Sequence, residues 1–351
     1  MGRTRDSASA AASPVLHRAA RVEDAFHAWR ERRGRKRGLK TTILPYTGYG
    51  GSGWIRVLAR VVLTRGHAAD ERADSVRGWR SFMSIPVDDV EVTITVAGRE
   101  ISLVADRGGV VDTRMEVDLA PGWHTISLHT ADSEPVQASV YVVDPAARFG
   151  ILSDIDDTVM VTALPRPFLA AWNTFVLDEH ARTPVAGMSV LYDRLVSENP
   201  GAPVLYLSTG AWNVAPTLSR FLQRNMYPNG PLLLTDWGPT HDRFFRSGQE
   251  HKRTSLERLA TEFPDLQWLL IGDDGQHDEA LYRDFSLAHP DNVAGIAIRQ
   301  LTVGEAVLAG GRSKAAENRM TTGAPWFFAP DGAGLADQLA DAGLLPTTRR
   351  D

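Results

Sequence analysis

Two aspartates two residues apart, Asp154 and Asp156, sit in Ser153-Asp154-Ile155-Asp156-Asp157-Thr158, at the end of the apolar run Phe149–Ile155. Carboxylates at this spacing can divide a phosphoryl transfer between them. One attacks phosphorus to give an aspartyl-phosphate, and the other protonates the leaving oxygen. The division requires the chain to bend after the strand so that both groups reach one pocket. Three further segments carry matching chemistry. Ser208, Thr209 and Gly210 follow the run Val204–Leu207, and a hydroxyl with backbone N–H groups opening a helix can hold a phosphate oxygen. Lys252, expected just inside a helix that starts near His251, can neutralise charge on the nucleophile and the phosphate. Leu269-Leu270-Ile271-Gly272-Asp273-Asp274 ends a strand in more carboxylates, with Asp278 close behind. Magnesium takes hard oxygen ligands, usually one or two carboxylates completed by water and phosphate oxygens, and Asp154 with Asp273 can supply that set.

These residues need a scaffold that delivers strand ends to one place. Apolar runs at Phe149–Ile155, Val204–Leu207, Leu232–Leu234, Trp268–Ile271 and Val293–Ile298 have the continuous hydrophobicity of buried parallel strands. The stretches between them carry helical periodicity, as in Leu256, Leu259, Ala260 and Phe263. The pattern predicts a doubly wound α/β sheet, whose ligands bind beyond the carboxyl ends of the strands. Upstream, residues 41–146 read as short strands: Trp54–Leu63, Val90–Val96 turning at Ala97-Gly98 into Ile101–Val104, then Met115–Leu119, His124–Leu128 and Val136–Val143. Roughly seven strands separated by turns predict a β-sandwich-like domain, with a brief helix around Ser75–Phe82. The expected partition is a tail and basic amphipathic helix over 1–40, the sandwich-like domain over 41–146 and the α/β domain over 147–351.

Composition bounds the function. The chain has 351 residues, 43% of them hydrophobic and 23% charged, the balance of a soluble globular protein. A formal net charge of −5 argues against a nucleic-acid partner. The absence of cysteine excludes disulfides, thiolate metal sites and thiol nucleophiles, and fits a reducing, cytoplasmic setting. No segment approaches the roughly 18 consecutive apolar residues of a membrane span, and the first twenty lack the apolar core of a secretory signal.

The order of SDIDDTV, YLSTGAWN, EHK and LIGDDGQHDEALY resembles the four motifs of the haloacid dehalogenase superfamily. Within it, the chain resembles the phosphatidate phosphatase catalytic-domain family, typified by an actin-patch-associated enzyme, over roughly residues 148–330. The resemblance implies Asp154 as nucleophile and Asp156 as general acid/base, its backbone carbonyl also facing magnesium. It implies Ser208 as a phosphate ligand, Lys252 as charge stabiliser and Asp273 as metal ligand, with Asp274 and Asp278 orienting the metal site from nearby. Where the family commonly has Ser-Pro, this chain has Gly210-Ala211, so Thr209, Trp212 and Asn213 stand only as candidate substrate contacts. The implied activity is hydrolysis of phosphatidate to diacylglycerol. A phosphatase for a soluble phosphomonoester and a non-catalytic lipid-surface or partner-binding module are the alternatives.

Other features have plainer readings. Gly48-Tyr49-Gly50-Gly51-Ser52-Gly53 matches a dinucleotide fingerprint in letters, but a strand follows it instead of a helix, so it reads as a flexible loop. A calcium loop fails because Val159 stands where the turn needs glycine. His251 and His277 beside the motifs read as structural; Arg243 and Arg246 are weaker candidates for phosphate contact. Val15, Ala19, Val22, Phe26 and Trp29 share a helical face that runs into Arg30, Arg32, Arg33, Arg35, Lys36, Arg37 and Lys40. That segment suits peripheral contact with an anionic membrane, or a helix packed on its own protein with a solvated basic end. Trp326-Phe327-Phe328 reads as cover for the α/β core. Residues 159–200 and 211–251 are short for insertions, which predicts an open site.

Overall fold

The structure is a computed structural model that describes residues 29–64, 84–106, 108–161, 183–235, 241–275, 277–308 and 323–346. The tail, most of the expected N-terminal amphipathic face and the helix expected at 75–82 lie outside the described residues, as does 162–182 of the first insertion. The chain divides into two compact units, each assembled from separated stretches. One comprises Met1–Pro45, Ala59–Val111 and Ser127–Val136, and the other Tyr46–Leu58, Asp112–Ile126 and Gln137–Asp351.

The upstream strands are β1 (Lys40–Gly51), β2 (Trp54–Thr64), β3 (Ile85–Pro86), β4 (Glu91–Val96), β5 (Arg99–Val104), β6 (Val110–Glu116), β7 (Gly122–His129) and β8 (Val136–Val142). They form one antiparallel-rich sheet in the order β3-β2-β1-β8-β7-β4-β5, with β6 on β2, where facing sheets were expected. One pair, β1 with β8, is parallel. The alternation in β4 buries Val92, Ile94 and Val96 on one side. Ala97 and Gly98, both at positive φ, close the β4–β5 hairpin through the two-residue turn whose twist suits adjoining strands.

Two expectations are corrected here. The glycine-rich segment is no flexible loop: β1 continues to Gly51, and a Cβ on Gly50 would stand 2.4 Å from the Trp54 carbonyl oxygen. Its glycines permit close backbone approach within a strand pair. The strand expected at Met115–Leu119 begins earlier, at Val110, directly after Gly109 turns the chain at φ 69°.

The second sheet has six strands, all pairs parallel, in the order β13-β12-β9-β14-β15-β16. These are β9 (Phe149–Asp154), β12 (Val204–Ala211), β13 (Leu232–Thr235), β14 (Gln267–Asp273), β15 (Val293–Arg299) and β16 (Trp326–Ala329). A small ribbon, β10 (Met160–Val161) with β11 (Thr183–Pro184), stands apart from it. Because Asp154, Ser208 and Asp273 belong to the three adjacent strands β9, β12 and β14, parallel pairing brings them to one edge. Trp326–Phe328 lies in the edge strand β16, where Phe327 is buried in the α/β core and Trp326 and Phe328 are half-buried.

After a helix over residues 29–36 (α1), the described helices are α2 (Met188–Glu198), α3 (Ala215–Arg224), α4 (His241–Glu262), α5 (Asp278–Ala288), α6 (Val303–Leu308) and α7 (Gly332–Asp341). Helix α4 packs on β12, β13 and α5, while α2 packs on α7. The core between helices and sheet holds Leu152, Leu205, Leu207, Trp268, Leu270, Ile296 and Leu335, each at least 99% buried. Such side chains stabilise the fold by about 1.5–3 kcal/mol apiece.

Candidate active site

Asp154 is the last residue of β9, pairing across from Leu207 of β12. Its strand is apolar on both sides because it is central in the sheet, so the carboxylate emerges from a buried wall and is itself only 2% exposed. The chain then bends as the chemistry requires. Val159 and Met160 both donate backbone hydrogen bonds to the Ile155 carbonyl, and Asp157 adopts φ 56°. The bend carries Asp156 toward β12, where Ser208 Oγ donates to Asp156 Oδ2 at 3.1 Å. Ser208 Oγ in turn accepts the Gly210 N–H at 3.0 Å. Behind Asp154, Ser153 Oγ donates to the Asp154 carbonyl at 2.6 Å and meets the Tyr192 hydroxyl.

Lys252 comes from α4. This helix begins at His241, ten residues before the expected start, so Lys252 lies mid-helix where the backbone fixes it. One turn earlier Gly248 faces Thr209 with no side chain between, which lets the helix close on the end of β12. Lys252 Nζ stands 2.8 Å from Asp154 Oδ1 and 2.7 Å from Asp278 Oδ1. All three groups are buried.

Asp278 opens α5 and folds back over the end of β14. Gly272 makes room for it, since a Cβ there would lie 2.8 Å from Asp278 Oδ2 and 2.7 Å from the Tyr282 ring. Carboxylate oxygens of Asp154, Asp273 and Asp278 all fall within 4.8 Å of one another. Asp273 Oδ1 accepts the Gly275 N–H at 2.6 Å. Among the described residues, nothing donates a hydrogen bond to the buried Asp278 Oδ2. Oxygen donors so gathered fit a hard divalent cation.

Burial pushes the Asp154 carboxyl well above the usual carboxylate range; Lys252 opposes the shift, while Asp278, Asp156 and Asp273 add to it. Burial likewise raises Asp273, with Asp278 and Asp157 adding to the rise. Burial alone would weaken the Lys252 ammonium, but Asp154 and Asp278 outweigh it and keep the lysine protonated. One fixed cation therefore serves several crowded carboxyls.

Other candidates fall elsewhere. Asp274 accepts the Leu301 N–H at 2.8 Å and donates its own N–H to the Arg299 carbonyl, so it ties β14 to the segment after β15. Trp212 is buried and stacks on Tyr46 at 4.5 Å between ring centroids, so the structure shows it in a packing contact. Thr209 and Asn213 are half-buried. The helix expected directly after Gly210 starts later, at Ala215, because β12 runs on to Ala211 and a short 3-10 turn intervenes. His251 is half-buried, its Nε2 has no hydrogen-bond partner among the described residues, and desolvation lowers its pKa to about 4, so it stays neutral. The side chains of Arg243 and Arg246 lie outside the described residues. Arg299 is a site neighbour that no local pattern announces. It is buried, donates to the Asp157 carbonyl at 2.8 Å and pairs with Glu305 at 2.7 Å, holding the bend after Asp154.

The parallel sheet thus brings carboxylates, a hydroxyl and a lysine together at adjacent strand ends. Residues 149–300 match the family described as "Phosphatidate phosphatase APP1, catalytic domain". An uncharacterised protein of Schizosaccharomyces pombe is 28% identical over 176 residues, covering 49% of this chain and 29% of its own length. Phosphatidate phosphatase APP1 of Saccharomyces cerevisiae is 24% identical over 200 residues, covering 55% of this chain and 34% of its own. The chain thus spans about a third of the length of the curated relatives it matches. A carbohydrate acetylesterase from Xanthomonas citri aligns over 86% of this chain and 74% of its own, at 9% identity and a TM-score of 0.32, too low to bear on the fold.

Proposed function

We propose that this chain is a magnesium-dependent phosphomonoester hydrolase acting on phosphatidate through an aspartyl-phosphate, in a doubly wound, haloacid dehalogenase-like domain spanning 147–351. The observation that carries the reading is the buried bridge of Lys252 between Asp154 and Asp278, beside Asp273 and one bend from Asp156. An Asp154 oxygen attacks phosphorus in line, forming the acyl phosphate as the ester P–O bond breaks. Asp156 delivers its proton to the departing diacylglycerol oxygen, then takes a proton from the water that hydrolyses the acyl phosphate. Ser208 holds Asp156 in place through its hydroxyl and is also within reach of a phosphate oxygen. Lys252 keeps the nucleophile anionic and oriented, and Asp278 anchors the lysine. Asp154 and Asp273 would hold magnesium, which when bound supplies charge shielding for the phosphate. The working location is the cytoplasm, at a membrane surface where the lipid is presented; among the described residues no helix is long and apolar enough to cross a membrane.

The test is phosphate release from short-chain phosphatidate in detergent micelles, with and without magnesium, beside soluble phosphomonoesters and the Asp154→Asn protein. Release that needs magnesium, prefers phosphatidate and is abolished in the folded variant is the expected result. Turnover retained by Asp154→Asn would remove the aspartyl-phosphate from consideration. Activity confined to soluble esters would replace the lipid substrate.

A further inference from the structure

The basic segment at the start of the described chain forms a surface of its own. Residues 29–36 are helical, and the helix ends in a turn where Gly38, at φ 77°, donates to the Arg35 carbonyl and Leu39 to the Gly34 carbonyl. Gly34 is the buried residue of this helix, set against the side chains of Leu63 and Ile85. With that side turned inward, Arg32, Arg33, Arg35, Lys36, Arg37 and Lys40 are all exposed. Trp29 is exposed as well, at 50%, with the Arg33 guanidinium 5.6 Å from its ring centroid.

Glu31 is the sole acid between residues 29 and 40; it pairs with Arg35 at 2.9 Å, and Arg35 also stands 3.9 Å from Asp132. Cations in a last helical turn complement the helix dipole, but that effect fades within the turn and does not extend to Lys40. The cluster also runs against the composition of a chain whose formal net charge is −5.

We infer that this face, Trp29 with Arg33, Lys36, Arg37 and Lys40, is a docking surface for an anionic membrane. Charge complementarity selects the partner's sign, and an exposed tryptophan within the cationic face is the side chain that settles at a bilayer's headgroup level. The inference rests on the lipid substrate proposed above for its choice of a membrane over another polyanion. The contact is electrostatic and peripheral, held by several cations to many headgroups, and fades with salt as the screening length shortens.

The experiment is co-sedimentation of the full chain with magnesium-free vesicles of phosphatidylcholine, with and without phosphatidylserine. The comparison protein carries Arg33→Gln, Lys36→Gln, Arg37→Gln and Lys40→Gln, all at exposed positions, with its melting curve checked. The intact protein is expected to bind the anionic vesicles and ignore the neutral ones, with binding released by high salt. The variant should bind on the order of 600-fold more weakly, because each of the four cations removed multiplies partitioning at an anionic surface about fivefold. Its hydrolysis of a dispersed short-chain ester should be unchanged. Equal binding by the variant, equal binding to neutral vesicles, no vesicle binding, or a preference for duplex DNA would each overturn the inference. Phosphatidylserine is no phosphomonoester, so binding is read independently of whether the chain hydrolyses phosphatidate.

Discussion

Replacing Lys252 by methionine removes the ammonium and keeps much of the side-chain volume. At an effective dielectric of about 20, a pair of unit charges at the 2.8 Å Lys252–Asp154 separation attracts by about 6 kcal/mol, and the Asp278 pair contributes about as much. Desolvation of the ions offsets several kcal/mol of this, and breaking a buried pair from one side costs a net 3–5 kcal/mol, roughly. Metal-free Lys252→Met should therefore lose about 3–5 kcal/mol near neutral pH, on the order of 10 °C in melting temperature. The sign with pH follows from the two partners. Lys252 has a raised folded-state pKa, so its contribution is complete below its unfolded value near about 10.4 and fades only as pH rises through the folded one. On the acid side the contribution disappears when Asp154 takes up a proton. Since burial has raised the folded-state pKa of Asp154, the gap between the two proteins should begin to close while unpaired surface carboxylates are still charged. Denaturant titrations from neutral to mildly acidic pH measure the gap directly. A neutral-pH difference below about 1 kcal/mol, or one that acid leaves intact, would refute the idea that Lys252 acts as counter-charge to a buried carboxylate cluster.

Asp273→Asn should stabilise the metal-free protein at neutral pH by about 1 kcal/mol or more, since a raised folded-state carboxyl pKa means stability is lost as pH rises through it. The same variant should show no thermal stabilisation by magnesium, and melting curves with and without the ion check both points. Glu262→Gln should cost about 2–4 kcal/mol, because the Glu262 carboxylate accepts from Tyr49 at 2.7 Å and from Arg56 at 2.5 Å and 3.1 Å. Urea unfolding measures it, and a change below about 0.5 kcal/mol would class the contact with ordinary surface pairs.

The site was legible in the sequence wherever chemistry follows a local pattern. Asp154 and Asp273 stand at the ends of apolar runs, and a buried parallel strand that stops at a carboxylate announces a site at its own end. The Ala97-Gly98 turn was legible for the same reason, because two residues suffice to write it. Asp278, named with the site residues from the resemblance, reaches the carboxylate cluster because Gly272 lets α5 fold back on β14. What escaped depends on contacts between distant parts of the chain. The stacking of Trp212 on Tyr46, far upstream, has no local signal. The first ten residues of α4 lack the apolar spacing that reveals its second half, so the helix carrying Lys252 seemed to start too late. Similarly, strand character hidden under a run of glycines at 48–51 became readable only once the partner backbone was in place.

The far end of α4 rests on residues outside the stretch that carries the four motifs. Glu262 is held by Tyr49 and Arg56, Arg258 reaches Asp112 at 2.7 Å, and Phe263 lies among the rings of Tyr49, Trp54 and Trp268. Burial alone would raise the Asp112 carboxyl, yet Arg258 and Arg56 hold it below its ordinary value, so the charges are matched within this cluster. Excising residues 147–351 as a portable catalytic cassette would strip Tyr49, Trp54, Arg56 and Asp112 from this end of the helix. Glu262 would lose its two cross-chain donors, and Phe263 would meet water. Transplanting the chemistry to a new host thus means carrying along a stretch of β1, β2 and β6, or rebuilding the foot of α4 with new polar and aromatic partners.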